Sequence, residues 1–278
     1  MYTPEYLTIG HVTKDNVPEG AILGGTCSYS ALTAHRLGLK SAIVTSAGPD
    51  IPSLDPLHGV LLEVKPASHS TTFENVYRDG ERHQKWLTTA LDLSLHDVPN
   101  HWRDAPIVHL GALSQEISPQ LFRQFPNSLT CVTIQGWLRG QDEQFNVIYR
   151  AHPELNHYLA DIDILVISLA DLFGNQSLLD FFVANIGLVV ETLGSEGCRI
   201  YQHGQVVHVP TYPETEVDPT GAGDIFAAAF FIRYKQTKDP LIAAQFANAT
   251  ASLSVGSVGM TSIPTLAQVE ARFAGRDQ

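Results

Sequence analysis

Asp218-Pro219-Thr220-Gly221-Ala222-Gly223-Asp224 joins a strand-like stretch to an apolar segment that continues from Ile225 to Phe230. Two glycines in such a loop let the backbone approach a ligand closely. A helix starting there turns its first N–H groups and its positive dipole end outward. An anion fits that position. Asp224, in the first turn, would stand beside the anion with the same sign of charge, so it is a poor phosphate ligand. It is better suited to taking a proton from a hydroxyl that attacks phosphorus. The competing reading assigns Asp224 to the helix dipole and Thr220 to the helix cap, which is a common arrangement. Two other phosphate-binding patterns fail. Phe226 stands where a dinucleotide fingerprint needs its third glycine, and no Gly-x-x-x-x-Gly-Lys-Ser/Thr occurs.

Other chemistries find less support. Twelve histidines invite a metal site, but the nearest pairs, His96 with His101 and His152 with His157, are five apart and do not share a helix face. No Gly-x-Ser-x-Gly elbow points to a serine hydrolase. The formal net charge of -12 argues against nucleic acid or anionic lipid as a partner. Cys27, Cys131 and Cys198 are odd in number and widely spaced, which suits a reducing compartment rather than a disulfide framework. No basic leader followed by an apolar run opens the sequence, and no apolar run reaches the roughly 18 residues of a membrane span. These features lead us to expect a cytoplasmic protein acting on a small molecule.

The elements that must position Asp224 can be read from apolar runs. Tyr6 to Ile9, Ser41 to Thr45, Pro106 to Leu110, Leu129 to Ile134, Ile164 to Ile167 and Leu188 to Thr192 have the pattern of buried parallel strands. Between or after them, Ser28 to Leu37, Pro119 to Phe125, Gln176 to Asn185, Ala222 to Lys235 and Pro240 to Val255 can be helices. This alternation predicts a layered α/β fold with ligands beyond the carboxyl ends of the strands. Thr71 to Leu91 differs, because apolar and polar residues flank an Asp79-Gly80 turn and so predict a hairpin. Together with His11 to Ile22 it could form a small projecting sheet; the alternative is a long exposed loop.

With Phe226 and the small residues after it, the Asp218 to Asp224 string resembles the signature of the ribokinase-like (PfkB) carbohydrate kinases. The match extends along the chain in the family's order. Gly10-x-x-x-x-Asp15 resembles the opening whose aspartate binds substrate hydroxyls, and Gly24-Gly25 resembles the first signature, where substrate lies against backbone. Gly48-x-Asp50 resembles a structural turn. Thr192-Leu193-Gly194-Ser195-Glu196-Gly197 resembles the turn under the nucleotide, and Asn248 through Gly259 resembles the helix and loop beside the adenine. For Asn248, a helix-surface amide is an equal reading.

This resemblance implies one domain over 1–278: a three-layer fold with a mostly parallel sheet and a β lid formed by about 11–23 and 65–95. It also implies transfer of the ATP γ-phosphoryl group to a hydroxyl of a small sugar or polyol, with magnesium present. Asp224 would be the base in the catalytic loop that begins at Gly221, and the backbone N–H groups of Ala222, Gly223 and Asp224 would form the anion hole. Asp15, Gly24 and Gly25 would hold the acceptor. A potassium-like cation would be held by residues matching Asp218, Thr220, Gly259 and Ser262. Closure of the lid would exclude water, and its apolar face could also pair two chains.

Two departures stand out. Ser168-Leu169-Ala170-Asp171 occupies the place of the family's Asn-x-x-Glu, so Ser168 would border the nucleotide and Asp171 would hold magnesium through water. Tyr29 stands where many members have asparagine; an aromatic there, with Gln135 and Arg139, resembles the plant-type inositol kinases. Other sugars and nucleosides stay open as acceptors, as does a catalytically weak ligand-binding or regulatory protein. A nicotinamide-dependent oxidoreductase is disfavoured by the failed fingerprint.

Overall fold

The computed structural model describes residues 3–78 and 81–275. Strand β1 (Tyr6–Ile9) leads into β2 (Thr13–Val17), β3 (Gly20–Gly24) and helix α1 (Thr26–Arg36). There follow β4 (Ser41–Ala47), β5 (Leu61–Pro66), β6 (Thr71–Arg78), β7 (Glu81–Thr88), β8 (Ile107–Leu110) and β9 (Leu129–Thr133). Next come β10 (Arg139–Gln141), β11 (Val147–Tyr149), β12 (Ile164–Ser168), α2 (Gln176–Asn185) and β13 (Leu188–Thr192). The chain closes with β14 (Cys198–Gln202), β15 (Gln205–Val209), α3 (Ala222–Thr237), α4 (Pro240–Ser254) and α5 (Leu266–Ala274).

Among the described residues the main sheet has nine strands in the order β15-β14-β13-β12-β9-β8-β1-β4-β5. From β13 to β5 every pairing is parallel, while β14 and β15 are antiparallel at one edge. Alternate side chains of one strand enter different cores. Leu7 and Ile9 point with Val108, Leu110 and Val132 toward Phe122, Trp137 and α2. Tyr6 points the other way, with Ile107 and Ile164, into a core filled by α3 and α4. The result is helix, sheet and helix in three layers. Helix α3 is apolar almost all round, as befits a helix enclosed by others, and its residues Ile225 to Ile232 are buried.

Local chemistry sets the ends. Asp239 caps α4 by accepting from the N–H groups of Leu241 and Ile242, with Pro240 at the first helical position. His203 and Gly204 both take positive φ, closing the β14–β15 hairpin. The segment expected as a helix from Pro119 to Phe125 is only a 3-10 turn over Pro119–Arg123. Pro126 disfavours helical backbone at Phe125, so the turn has no room to lengthen.

The second sheet has the order β3-β2-β6-β7, so 13–24 and 71–88 do come together. The Asp79-Gly80 turn lies outside the described residues. The β10–β11 hairpin lies along the free side of β7, where Trp86 donates its backbone N–H to the Phe145 carbonyl at 2.9 Å. Phe73, Trp86 and Leu113 form a small core there, joined by Val147.

One buried titratable group has a consequence for stability. His109 on β8 is fully enclosed, its ring nitrogens bonded to the Tyr6 hydroxyl at 2.9 Å and the Thr133 hydroxyl at 3.0 Å. Burial pushes it down from 6.5 to about 3. Below pH 6.5 the unfolded chain therefore binds a proton that folded His109 refuses, and stability falls as pH drops toward about 3. The loss should approach about 1.4 kcal/mol per pH unit. Urea midpoints at pH 7 and 5 should converge in His109→Gln relative to the parent; equal slopes would rule out this source.

Candidate active site

The loop before α3 is tied down on both sides. Val217 and Asp218 donate their N–H groups to the Val255 carbonyl at 2.8 and 3.1 Å. The Asp218 carboxylate accepts from Thr220 N at 2.9 Å and from Gly259 N at 3.0 Å. Burial alone would raise this carboxyl, but the Thr220 and Gly259 donors outweigh it and hold it below the usual range. Ser262 Oγ donates to the Gly259 carbonyl at 2.6 Å. Asp218, Thr220, Gly259 and Ser262 thus meet at one place, and their oxygens are the hard donors a monovalent cation requires.

Gly221 precedes the first turn of α3 with φ 78, the left-handed region that glycine tolerates. A Cβ there would overlap the ring of Tyr29, which is 3% exposed. Tyr29 therefore backs the glycine loop from α1 with its ring buried. Ala222 N–H is also committed, donating to the Pro219 carbonyl at 3.1 Å. The first intrahelical bond runs from Ile225 N to Gly221 O at 2.9 Å, so the Gly223 and Asp224 amides precede it and point out of the helix start. Where a Cβ on Gly223 would stand there is open space.

Asp224 is half-buried between α3 and α1, where Ser30 Oγ donates to its backbone carbonyl at 3.3 Å. Burial pushes the Cys27 thiol at the start of α1 up, with the Glu116 and Asp224 carboxylates adding to the effect. At that start, Gly25 takes φ 94 and stands over the His11 carbonyl, 2.6 Å from where its Cβ would lie. Gly24 packs on the Asp15 carboxylate, which accepts from Thr13 Oγ1 at 2.8 Å. Gln135 joins them, donating to Thr26 Oγ1 at 2.9 Å. The acceptor-side candidates Asp15, Gly24, Gly25 and Gln135 therefore share one end of α1.

Arg139 sits further out, 3.5 Å from Asp171 Oδ1 in a half-buried ion pair. Asp171 Oδ2 accepts from Ser168 Oγ at 2.5 Å and Ser168 N at 3.1 Å, a capping box across the end of β12. With both oxygens engaged, Asp171 fits magnesium through its waters rather than as a direct ligand.

A cavity of about 310 Å³ opens on the other side of the loop, lined by Thr192, Gly194, Gly197, Ala222, Gly223 and Asn248. Asn248 is buried on the cavity lining and is not a surface amide. Its Nδ2 donates to the Val209 carbonyl at 3.0 Å and the Pro210 carbonyl at 3.3 Å, holding the chain that forms the cavity wall. Gly197 answers to packing, because a Cβ would strike the Val209 carbonyl, whereas Gly194 borders open space at φ 58. Residues that sequence reasoning missed supply the apolar walls: Tyr212, Phe226, Ala251 and Val255. Arg272 of α5 braces the rim, donating to Ser252 Oγ at 3.0 Å and Glu214 Oε2 at 2.6 Å. Of the wall residues, Tyr212 lies in the proline-punctuated stretch 210–219, and Phe226 follows the glycine loop directly.

Comparison with known proteins adds three kinds of match. The model of the pfkB family carbohydrate kinases fits residues 152–266. A nucleoside kinase of Methanothermobacter thermautotrophicus is 27% identical over 277 residues, covering 91% of this chain and 85% of the relative. Among solved structures, Arabidopsis thaliana ribokinase complexed with ribose and ATP aligns with TM-score 0.73 and 21% identity, over 98% of this chain and 99% of that one. A pyrophosphate-dependent ribokinase-family kinase complexed with myo-inositol and a pyrophosphate analogue aligns with TM-score 0.75 and 19% identity, over 96% and 99%. With the three-layer sheet, these matches show a ribokinase-like fold, and residues 152–266, which hold the glycine loop and most of the cavity beside it, are similar to the pfkB family carbohydrate kinases.

Proposed function

We propose that the protein transfers the γ-phosphoryl group of ATP to a hydroxyl of a small sugar or polyol. The observation that carries this reading is the position of Asp224. It starts α3 where the acceptor-side residues of α1 meet the cavity bordered by Ala222 and Gly223. ATP occupies the cavity, its base between the apolar walls and its phosphates toward the α3 start. The acceptor lies on Gly24 and Gly25, oriented by Asp15 and Gln135. As its oxygen attacks the γ-phosphorus, its proton passes to the Asp224 carboxylate, the bond to the bridging oxygen breaks and ADP leaves. The outward Gly223 and Asp224 amides stabilise charge on the transferring group, with the Ala222 amide spent on Pro219. Bound magnesium would neutralise charge on the donor phosphates, with Asp171 and Ser168 nearby.

A coupled ADP-release screen over pentoses, hexoses, inositols and nucleosides tests this reading, with pyrophosphate as the comparison donor. ATP should be preferred, because pyrophosphate leaves the apolar walls of a 310 Å³ cavity unfilled. A second reading, a weak catalyst that mainly binds ligand, is favoured by one observation: the Asp171 carboxylate is already bonded to Ser168 and Arg139. ADP release above background with any acceptor would remove it.

The decisive variant is Asp224→Asn, which keeps size and capping but cannot take the proton. Turnover should fall by roughly 10² to 10⁴ with substrate affinities little changed. If Asp224 served only the helix dipole, the variant would lose at most about 1 kcal/mol of stability and keep its activity. Thermal unfolding of the same preparation separates the two.

The convergence of Asp218, Thr220, Gly259 and Ser262 leads us to expect faster turnover in potassium than in a bulky organic cation. Equal rates would sink that site. Pairing of two chains through the small sheet would use the β3 side with its exposed Ile22, because the β10–β11 hairpin covers β7. Light scattering at twice the chain mass would support it, and a monomer mass would end it. The cytoplasm remains the compartment that suits this reading.

A further inference from the structure

The chain passes between the main sheet and the small sheet four times, near 10–13, 24–26, 66–71 and 88–92. One residue touches the polypeptide at all four crossings. His11 lies on the first and is fully buried. Its Nε2 is 2.9 Å from the Leu91 carbonyl, beyond the fourth crossing's strand. A carbonyl only accepts, so Nε2 carries the proton. Its Nδ1 is 2.6 Å from Thr71 Oγ1, at the start of β6. In the neutral ring Nδ1 must accept, so the Thr71 hydroxyl donates to it while the same oxygen accepts from Ala90 N at 3.0 Å. The His11 carbonyl lies under Gly25 at the remaining crossing.

The pivot is fastened to the main sheet at a second buried group. His11 N donates to Glu116 Oε1 at 3.1 Å, beyond the end of β8. Glu116 is 1% exposed, and its carboxylate also accepts from Leu113 N at 3.0 Å, Ser114 N at 2.7 Å and Ser114 Oγ at 3.1 Å. These donors fix the carboxylate, and the carboxylate fixes the His11 backbone. Asp15 stands four residues further along the chain, in β2, with its carboxylate against Gly24.

We propose that His11 is a positioning residue that sets the small sheet over the acceptor, holding Asp15 in place through its bonds to Thr71 and Leu91. The acceptor part of this inference rests on the kinase reading above. The donor cavity takes its lining from beyond residue 191, so none of it belongs to the small sheet. Loosening the pivot should therefore weaken acceptor binding and admit water while leaving donor binding alone.

The test compares the whole chain with Thr71→Val, which deletes the hydroxyl that His11 accepts from, and with Thr71→Ser, which restores it. Thr71→Val should speed amide exchange in β2 and raise the acceptor KM about tenfold, the size expected for one lost hydrogen bond. Turnover and donor KM should stay within a factor of about three, while acceptor-independent ATP hydrolysis rises relative to transfer. Exchange in β13 and α4 should not change, and Thr71→Ser should return β2 exchange and acceptor KM toward the parent. His11→Gln should behave like Thr71→Val. The proposal is overturned if β2 exchange in Thr71→Val matches the parent. It is equally overturned if exchange rises uniformly over the molecule, or if acceptor and donor KM rise together. Should the parent phosphorylate no acceptor, the kinase reading fails, and the exchange measurement still decides whether His11 is the pivot.

Discussion

A parallel strand covered on both faces has nowhere to put a reactive side chain except beyond its end. That constraint governs this molecule. Leu7 and Ile9 are spent on one core and Tyr6 on the other, and the same holds for the neighbouring parallel strands. The sheet's chemistry therefore gathers at its carboxyl edge: Gly10 after β1, Gln135 after β9, Ser168 at the end of β12 and Gly194 after β13. Helix α3 brings Asp224 to that edge from outside the sheet. Its start is steered by the Tyr29 ring behind Gly221 and by the Asp218 carboxylate bound to Thr220 and Gly259.

Much of this arrangement is legible before any coordinates, because periodicity reports burial. Tyr6 to Ile9 is a continuous apolar or β-branched run and Leu188 to Thr192 is one broken only by Glu191; they match strands β1 and β13 in full. Strand β5 was not legible. Leu61 to Pro66 is an edge strand with exposed Glu63 and half-buried Lys65, so its composition resembles that of a loop. Strand β15 fails for the same reason, with four exposed residues before Val209. The short α5 follows a capping box, Thr265 with Gln268, that was there to be read.

Within the site, the glycine loop could be read because it is contiguous in sequence and its glycines have local reasons. What stayed hidden depends on distant chain segments. Asn248 pairs with carbonyls some forty residues away, and Tyr29 meets Gly221 across the molecule. His11 looked like an ordinary residue after a glycine. Only the fold brings Thr71, Leu91 and Glu116 around it. Long-range polar partnerships leave no periodic trace, since one side chain in a network repeats nothing.

The brace from α5 to the cavity rim changes what the carboxyl-terminal helix is for. Arg272 reaches Ser252 and Glu214, both on the lining, while Val269 of the same helix is buried against the α3 and α4 core. The helix thus works as a buttress whose inner side is cemented to the body and whose outer arm props the doorway. Peeling it away would first slacken the entrance and only later bring down the wall, so damage to this helix would be felt at the cavity before it was felt by the fold.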